Sequence, residues 1–181
     1  MDLFLAADLS FPQKVVDAHL ADTAAPIPYA RGTLVLWARN DSPLQPITLS
    51  TLTDPRVQSI AIADETHAPY GLAAASALRS LHLYDQVKPH LVVAQNIAQT
   101  AQFVESCNAQ LGLISLTTAS TEHFRQLGTY VLVPRVYPEI RQCAVVLTKS
   151  PQRTEAHAFL NWLLSAEVQA SLQKFGLEPA Q

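Results

Sequence analysis

Short apolar runs of strand length recur along this 181-residue chain, and most are followed at once by a stretch with helical character. Strands are predicted at Leu3-Phe4-Leu5-Ala6-Ala7, at Leu34-Val35-Leu36-Trp37, over 57–63, at Leu91-Val92-Val93-Ala94, and over 111–116, 130–133 and 143–147. Between them, Ser10 is placed to cap a helix with Phe11, Val15, Val16, His19 and Leu20 on one side. Residues 72–81 form an Ala-rich helical stretch, and Asn96 is placed to cap a helix from Ile97 to about Asn108, with Gln99 at capping-box spacing. A short helix is expected over 121–126. The tail reads as helical, with Phe159, Leu160, Leu163 and Leu164 on its apolar face and Gly176 as its C-terminal cap. This alternation specifies an α/β protein whose mostly parallel sheets are flanked by helices, with a buried strand opening the chain.

Composition narrows the classes. With 49% apolar and 15% charged residues the chain can close a hydrophobic core, which excludes intrinsic disorder. A net charge of −3 without any Lys/Arg cluster gives no footprint for nucleic acid, so no nucleic-acid partner is expected. No apolar stretch reaches the roughly 20 residues that cross a bilayer, so no membrane insertion is expected. The start Met1-Asp2-Leu3-Phe4-Leu5 has no basic segment of a secretory signal, and as written the chain is expected to stay in the cytoplasm. Cys107 and Cys143 lack metal-site spacing and read as core thiols.

Enzyme constellations are sparse. His67 beside Asp64 and Glu65, and His82 and His90 flanking Asp85, read as loop and surface groups rather than as ligands or acid/base pairs. Ser115 ends a strand without a G-x-S-x-G elbow, and neither the Walker pattern nor G-x-G-x-x-G occurs. No catalytic residue, no cofactor and no protein-ligated metal cation are therefore expected. The informative places are the strand-to-helix junctions Ala68-Pro69-Tyr70-Gly71 and Gln95-Asn96-Ile97. In open α/β sheets ligands sit beyond the carboxyl ends of strands, where helix N-termini favour an oxyanion. Pro69 fixes the turn, and Gly71 is expected to let the backbone approach a ligand closely.

At these residues the chain resembles the periplasmic molybdate-binding proteins of ABC transporters, which have the two-lobed type II solute-binding fold. The resemblance runs from Asp2-Leu3-Phe4-Leu5-Ala6-Ala7-Asp8 and Tyr29-Ala30-Arg31-Gly32-Thr33 through Ile60-Ala61-Ile62-Ala63 and His67-Ala68-Pro69-Tyr70-Gly71. It continues in Leu83-Tyr84-Asp85, Asn96-Ile97-Ala98-Gln99-Thr100, Phe103-Val104-Glu105-Ser106, Tyr137-Pro138 and Ala144-Val145-Val146-Leu147. It implies a non-enzymatic protein that holds molybdate or tungstate between two lobes through hydrogen-bond donors and delivers it to a transporter permease.

Carried over by motif, the ligand contacts are the backbone N–H groups of Tyr70 and Ile97, with Gly71 and Asn96 beside them. Ser115 falls where some members place a ligand-contacting tyrosine. The implied lobes are 1–38 with 138–181, and 39–137. Family members begin with a signal peptide, a first strand and two Ser-bearing loops ahead of the segment equivalent to Asp2-Leu3-Phe4. An incomplete first lobe is thus expected, with an exposed sheet edge that favours self-association. The resemblance implies a periplasmic location. The alternative from another class is a cytoplasmic oxyanion-sensing or regulatory domain of the same fold.

Overall fold

The computed structural model describes residues 1–180, and the chain divides into two compact units, Met1–Gly32 with Ile140–Gln181, and Thr33–Glu139. In chain order the first half contains β1 (Leu3–Ala6), α1 (Ser10–Asp17), β2 (Ile27–Gly32), β3 (Leu34–Arg39), β4 (Ile60–Ala63), α2 (Pro69–Ser80), α3 (Tyr84–Val87) and β5 (Leu91–Ala94). The second half contains α4 (Ile97–Glu105), β6 (Leu111–Ser115), α5 (Leu116–Ala119), α6 (Glu122–Leu127), β7 (Gly128–Leu132), β8 (Ile140–Val146), α7 (Arg153–Leu163), α8 (Ala166–Leu172) and β9 (Leu177–Pro179).

The unit Thr33–Glu139 is built on a five-stranded sheet of order β5-β4-β6-β3-β7. Strand β4 pairs in parallel with β5 and β6, while β3 runs antiparallel to β6 and β7. All four residues of β4 and all five of β6 are buried, as continuous apolar runs covered on both faces must be. One core cluster joins Val35 and Trp37 of β3, Ala101 and Val104 of α4, and Ile114, Ala119 and Phe124, with Ile97, Leu116 and Leu127 packed against it.

The discontinuous unit has a four-stranded sheet of order β1-β8-β2-β9, antiparallel throughout. Ala144 and Val146 of β8 meet Ala156 and Leu160 of α7, with Leu3, Ile27, Tyr29 and Leu163 around them. Burial raises the Tyr29 phenol to about 12. Gln169 ties down the tail: its amide donates to Tyr29 O and Leu163 O, and its oxygen accepts from Ala180 N at 2.9 Å. Gly176 takes the left-handed conformation at φ 77 as a C-terminal cap, as expected.

The α/β class with helix-flanked sheets stands, but parallel pairing is confined to β5-β4-β6. Elsewhere strands pair with distant segments, such as Leu3 with Val146, and no helical crossover imposes their direction. Strand β3, expected in the first lobe, lies inside the unit Thr33–Glu139, because its whole length pairs with β6 and β7. The turn at Asn40–Pro43 is thus internal to that unit, with Ser42 N donating to Arg39 O. The opening strand β1 is a half-exposed sheet edge rather than a buried strand, with Leu5 43% exposed. Phe11 of the helix that follows is also exposed, and Leu20, expected on the same helix, is exposed beyond its end at Asp17. Ser10 is not its cap; Asp8 accepts from Phe11 N at 3.3 Å and from Ser10 Oγ at 2.6 Å. Strands β2 and β9 were not legible, since Pro28 and a register shift between Pro28 and Ala30 break the pattern.

His82 holds a left-handed conformation, φ 58, just past α2, where His82 N donates to Arg79 O and Leu83 N to Leu78 O. This is the position glycine favours. Replacing His82 with Gly is expected to raise stability by about 1 kcal/mol, read as a higher urea midpoint at unchanged slope; a lower midpoint would show that the imidazole has a compensating contact.

Candidate functional site

Because β5, β4 and β6 are parallel, their carboxyl ends lie along one edge of the sheet, with Ala63 in register with Ala94. Asp64 N donates to Ala94 O at 2.8 Å, tying the turn after β4 to the end of β5. A helix begins just beyond each strand: α2 at Pro69, α4 at Ile97 and α5 at Leu116.

Helix α2 starts from an extended Ala68, and its first intrahelical bond runs from Leu72 N to Ala68 O at 3.0 Å. Pro69 occupies the first turn, and Ala68 at the cap position offers no side-chain hydrogen bond. The first-turn amides of Tyr70 and Gly71 therefore contribute the positive end of the helix dipole here, and both residues are buried. The reason for glycine at 71 differs from the expected one. A Cβ there would lie 2.5 Å from Ala63 O and 2.6 Å from the Asp64 carbonyl carbon, so the close neighbour is the protein's own backbone. Gly71 lets the first turn of α2 press against the end of β4.

Helix α4 starts as the sequence implies. Asn96 is extended, and its Oδ1 accepts from Gln99 N at 2.9 Å. Gln99 Oε1 accepts from Gln95 N at 2.7 Å, one residue before the partner a capping box uses. The Asn96 side-chain oxygen is thus committed to Gln99, and Ile97 and Ala98 lead the turn.

Ser115 is buried, and its hydroxyl is also engaged. Its Oγ accepts from Thr118 N at 3.1 Å and shares a hydrogen bond with Thr118 Oγ1 at 2.9 Å, which caps the four-residue α5. Leu116 N donates to Thr33 O at 2.8 Å, joining this junction to the segment leading into β3.

Between β4 and α2, Asp64 Oδ1 accepts from Thr66 N at 2.7 Å, from the Thr66 hydroxyl, and from His67 N at 3.2 Å. The Thr66 hydrogen bonds hold the Asp64 carboxyl below its ordinary range. Glu65 instead turns to Arg79, 2.6 Å away, and to the Tyr84 hydroxyl, and Arg79 pulls its carboxyl down likewise. His67 is largely exposed. Asp64 thus meets the His67 imidazole at 3.3 Å within the turn while Glu65 turns away to the flank of α2, and no group of three metal-ligating side chains occurs among the described residues. His82 lies just past the C-terminal end of α2, at the opposite end of that helix from Pro69. What the junctions offer chemically is a set of fixed backbone dipoles suited to an anion.

Comparisons with known proteins agree with this architecture. The profile of the bacterial extracellular solute-binding protein family matches residues 1–178. The molybdate-binding protein ModA of Rhodobacter capsulatus is 31% identical over 176 residues, covering 97% of this chain and 68% of that protein. ModA of Azotobacter vinelandii is 32% identical, covering 97% of this chain and 69% of that protein. The solved structure of the Azotobacter vinelandii periplasmic molybdate-binding protein superposes with a TM-score of 0.87 at 27% identity, covering 99% of this chain and 79% of that one. With its helix starts aligned at the carboxyl edge of a parallel strand trio and this match along nearly its whole length, the chain belongs to the bacterial extracellular solute-binding protein family.

Proposed function

We propose that this chain binds a tetrahedral oxyanion, molybdate or tungstate, outside the cytoplasm for delivery to an ABC-transporter permease, and performs no chemistry on it. The observation that carries this reading is the pair of helix starts, at Pro69 and Ile97, that follow the adjacent parallel strands β4 and β5. Molybdate is what the two ModA relatives are named for. Backbone N–H groups of Tyr70 and Ile97 are assigned as the contacts. Gly71 keeps the first of these turns in place, and Asn96 holds the second through Gln99. Ser115 is assigned a supporting role, because its hydroxyl caps α5.

A site made of donors selects by size and protonation. Sulfate is smaller, and protonated phosphate brings an O–H that finds no acceptor.

The test is a thermal-shift titration with molybdate, tungstate, sulfate and phosphate. A ligand that binds only the folded state adds about 2.7 kcal/mol at 100 times its Kd, which for a protein of this size is a rise of roughly 5–10 °C. A rise with molybdate and tungstate alone is expected. No shift with either, or an equal shift with sulfate, sinks the reading.

A further inference from the structure

A carboxylate in the first turn of a helix meets the positive end of the dipole and the free N–H groups, and it stabilises the helix for that reason. Most helices of this chain have one at their start. Asp85, Glu122, Glu155 and Glu167 stand in the first turns of α3, α6, α7 and α8, and Asp8 accepts from Phe11 N at the start of α1. Among the described residues, the first turns of α2, α4 and α5 contain no acidic residue. These are the three helices that follow β4, β5 and β6, the parallel strands whose carboxyl ends form the candidate site. Asp64 and Glu65, which precede α2, are engaged by Thr66, His67 and Arg79.

Gln99 shows the omission most directly. It is the third residue of α4 and is half-buried; its Oε1 accepts from Gln95 N at 2.7 Å, and its N donates to Asn96 Oδ1 at 2.9 Å. Glu and Gln both reach back to a backbone N–H from this position, and the bond to a charged oxygen is the stronger. For helix stability alone Glu is the better residue. Gln forgoes that gain and holds the turn with a neutral oxygen, and neither of its two bonds uses the Ile97 N–H, the amide assigned to the anion.

We propose that Gln99 is a specificity residue of the oxyanion site, which it serves by bracing the start of α4 without bringing a negative charge to it. This rests on the oxyanion reading and names the residue that keeps the α4 junction open to a dianion. With Glu at 99 the turn would be held at least as firmly, but an arriving dianion would meet a fixed negative charge in the same turn. A unit charge within about 7 Å of a dianion costs roughly tenfold in affinity even at the dielectric constant of water.

The experiment titrates molybdate calorimetrically into the full chain and into Gln99→Glu and Gln99→Met, and melts all three without anion. Gln99→Glu is expected to weaken molybdate binding about tenfold or more and to raise the anion-free Tm by roughly 1–4 °C. Affinity and stability thus move in opposite directions, which a merely structural role would not produce. Gln99→Met, uncharged and without the acceptor, is expected to bind molybdate more tightly than Gln99→Glu. The affinity ratio between the unsubstituted chain and Gln99→Glu is expected to shrink as KCl is raised from about 20 mM to about 200 mM, because salt screens the added charge.

Three results overturn the proposal. One is equal affinity of Gln99→Glu and the unsubstituted chain, the second is a loss in Gln99→Met as large as in Gln99→Glu, and the third is a fall in anion-free Tm that accompanies the loss of binding in Gln99→Glu. If the unsubstituted chain itself binds neither molybdate nor tungstate, the oxyanion reading fails and this proposal falls with it. Binding by the unsubstituted chain together with any of the three results removes the role of Gln99 alone.

Discussion

Replacing Trp37 with alanine is expected to lower the unfolding free energy by about 3–5 kcal/mol. Trp37 lies in β3 between β6 and β7, is fully buried, and meets Phe124 edge-on with ring centroids 5.2 Å apart. Around it pack Val35, Ala101, Val104 and Ile114, so the vacated volume is walled by regular elements that have little room to collapse. In a protein of this size the loss corresponds to a fall in Tm of roughly 10 °C. Among the described residues the buried indole Nε1 has no hydrogen-bond partner, and a buried donor left unmet costs stability. Trp37→Phe, which removes the N–H and keeps an aromatic ring, is therefore expected to cost much less than the alanine variant. Calorimetric melts of the two variants check both statements; equal losses would mean that the indole N–H is satisfied in solution.

The second large effect is expected at Gly71. Valine there would drive its Cβ into the backbone at Ala63 and Asp64, atoms that cannot rotate away as a side chain can. Overpacking of this kind costs about 1–3 kcal/mol. The larger consequence is for binding, because relief requires the first turn of α2 to lift from the end of β4, and that movement carries the Tyr70 amide with it. Molybdate is thus expected to give no thermal shift in Gly71→Val at concentrations that stabilise the unsubstituted chain. His67→Ala is the matched comparison. His67 is 81% exposed at its side chain and close in sequence, and its loss is expected to change stability by no more than about 0.5 kcal/mol and to leave the anion shift in place. The opposite order of effects would move the site away from this junction.

Much of the candidate site was legible in the sequence because its determinants are local. An Asn followed three residues later by Gln, just before an apolar stretch, encodes a helix start, and Asn96 caps α4. The fully buried β4 and β6 announce themselves as unbroken apolar runs, and Pro69 marks the first turn of α2. Near-complete burial on both faces leaves few alternatives for such segments, and a cap bonds within a single turn. Ser115 shows the limit of motif reasoning. Its position was readable, but the commitment of its hydroxyl to Thr118 depends on where α5 begins.

Most element types, the α/β class, the two helix starts and the family were thus determined by the residues in their order, while β2 and β9 were not. Tertiary structure alone decided which strands are neighbours and in which direction. The antiparallel sheet brings Leu3 beside Val146 and Ile27 beside Ala144, and it was not foreseen, because the period of an apolar run records which face is buried and carries no information about a partner more than 100 residues away. The same reason governs β3, whose apolar run reads alike in either unit until β6 and β7 pair with it. It also governs Gly71, whose necessity lies in backbone that only the packed helix brings within contact.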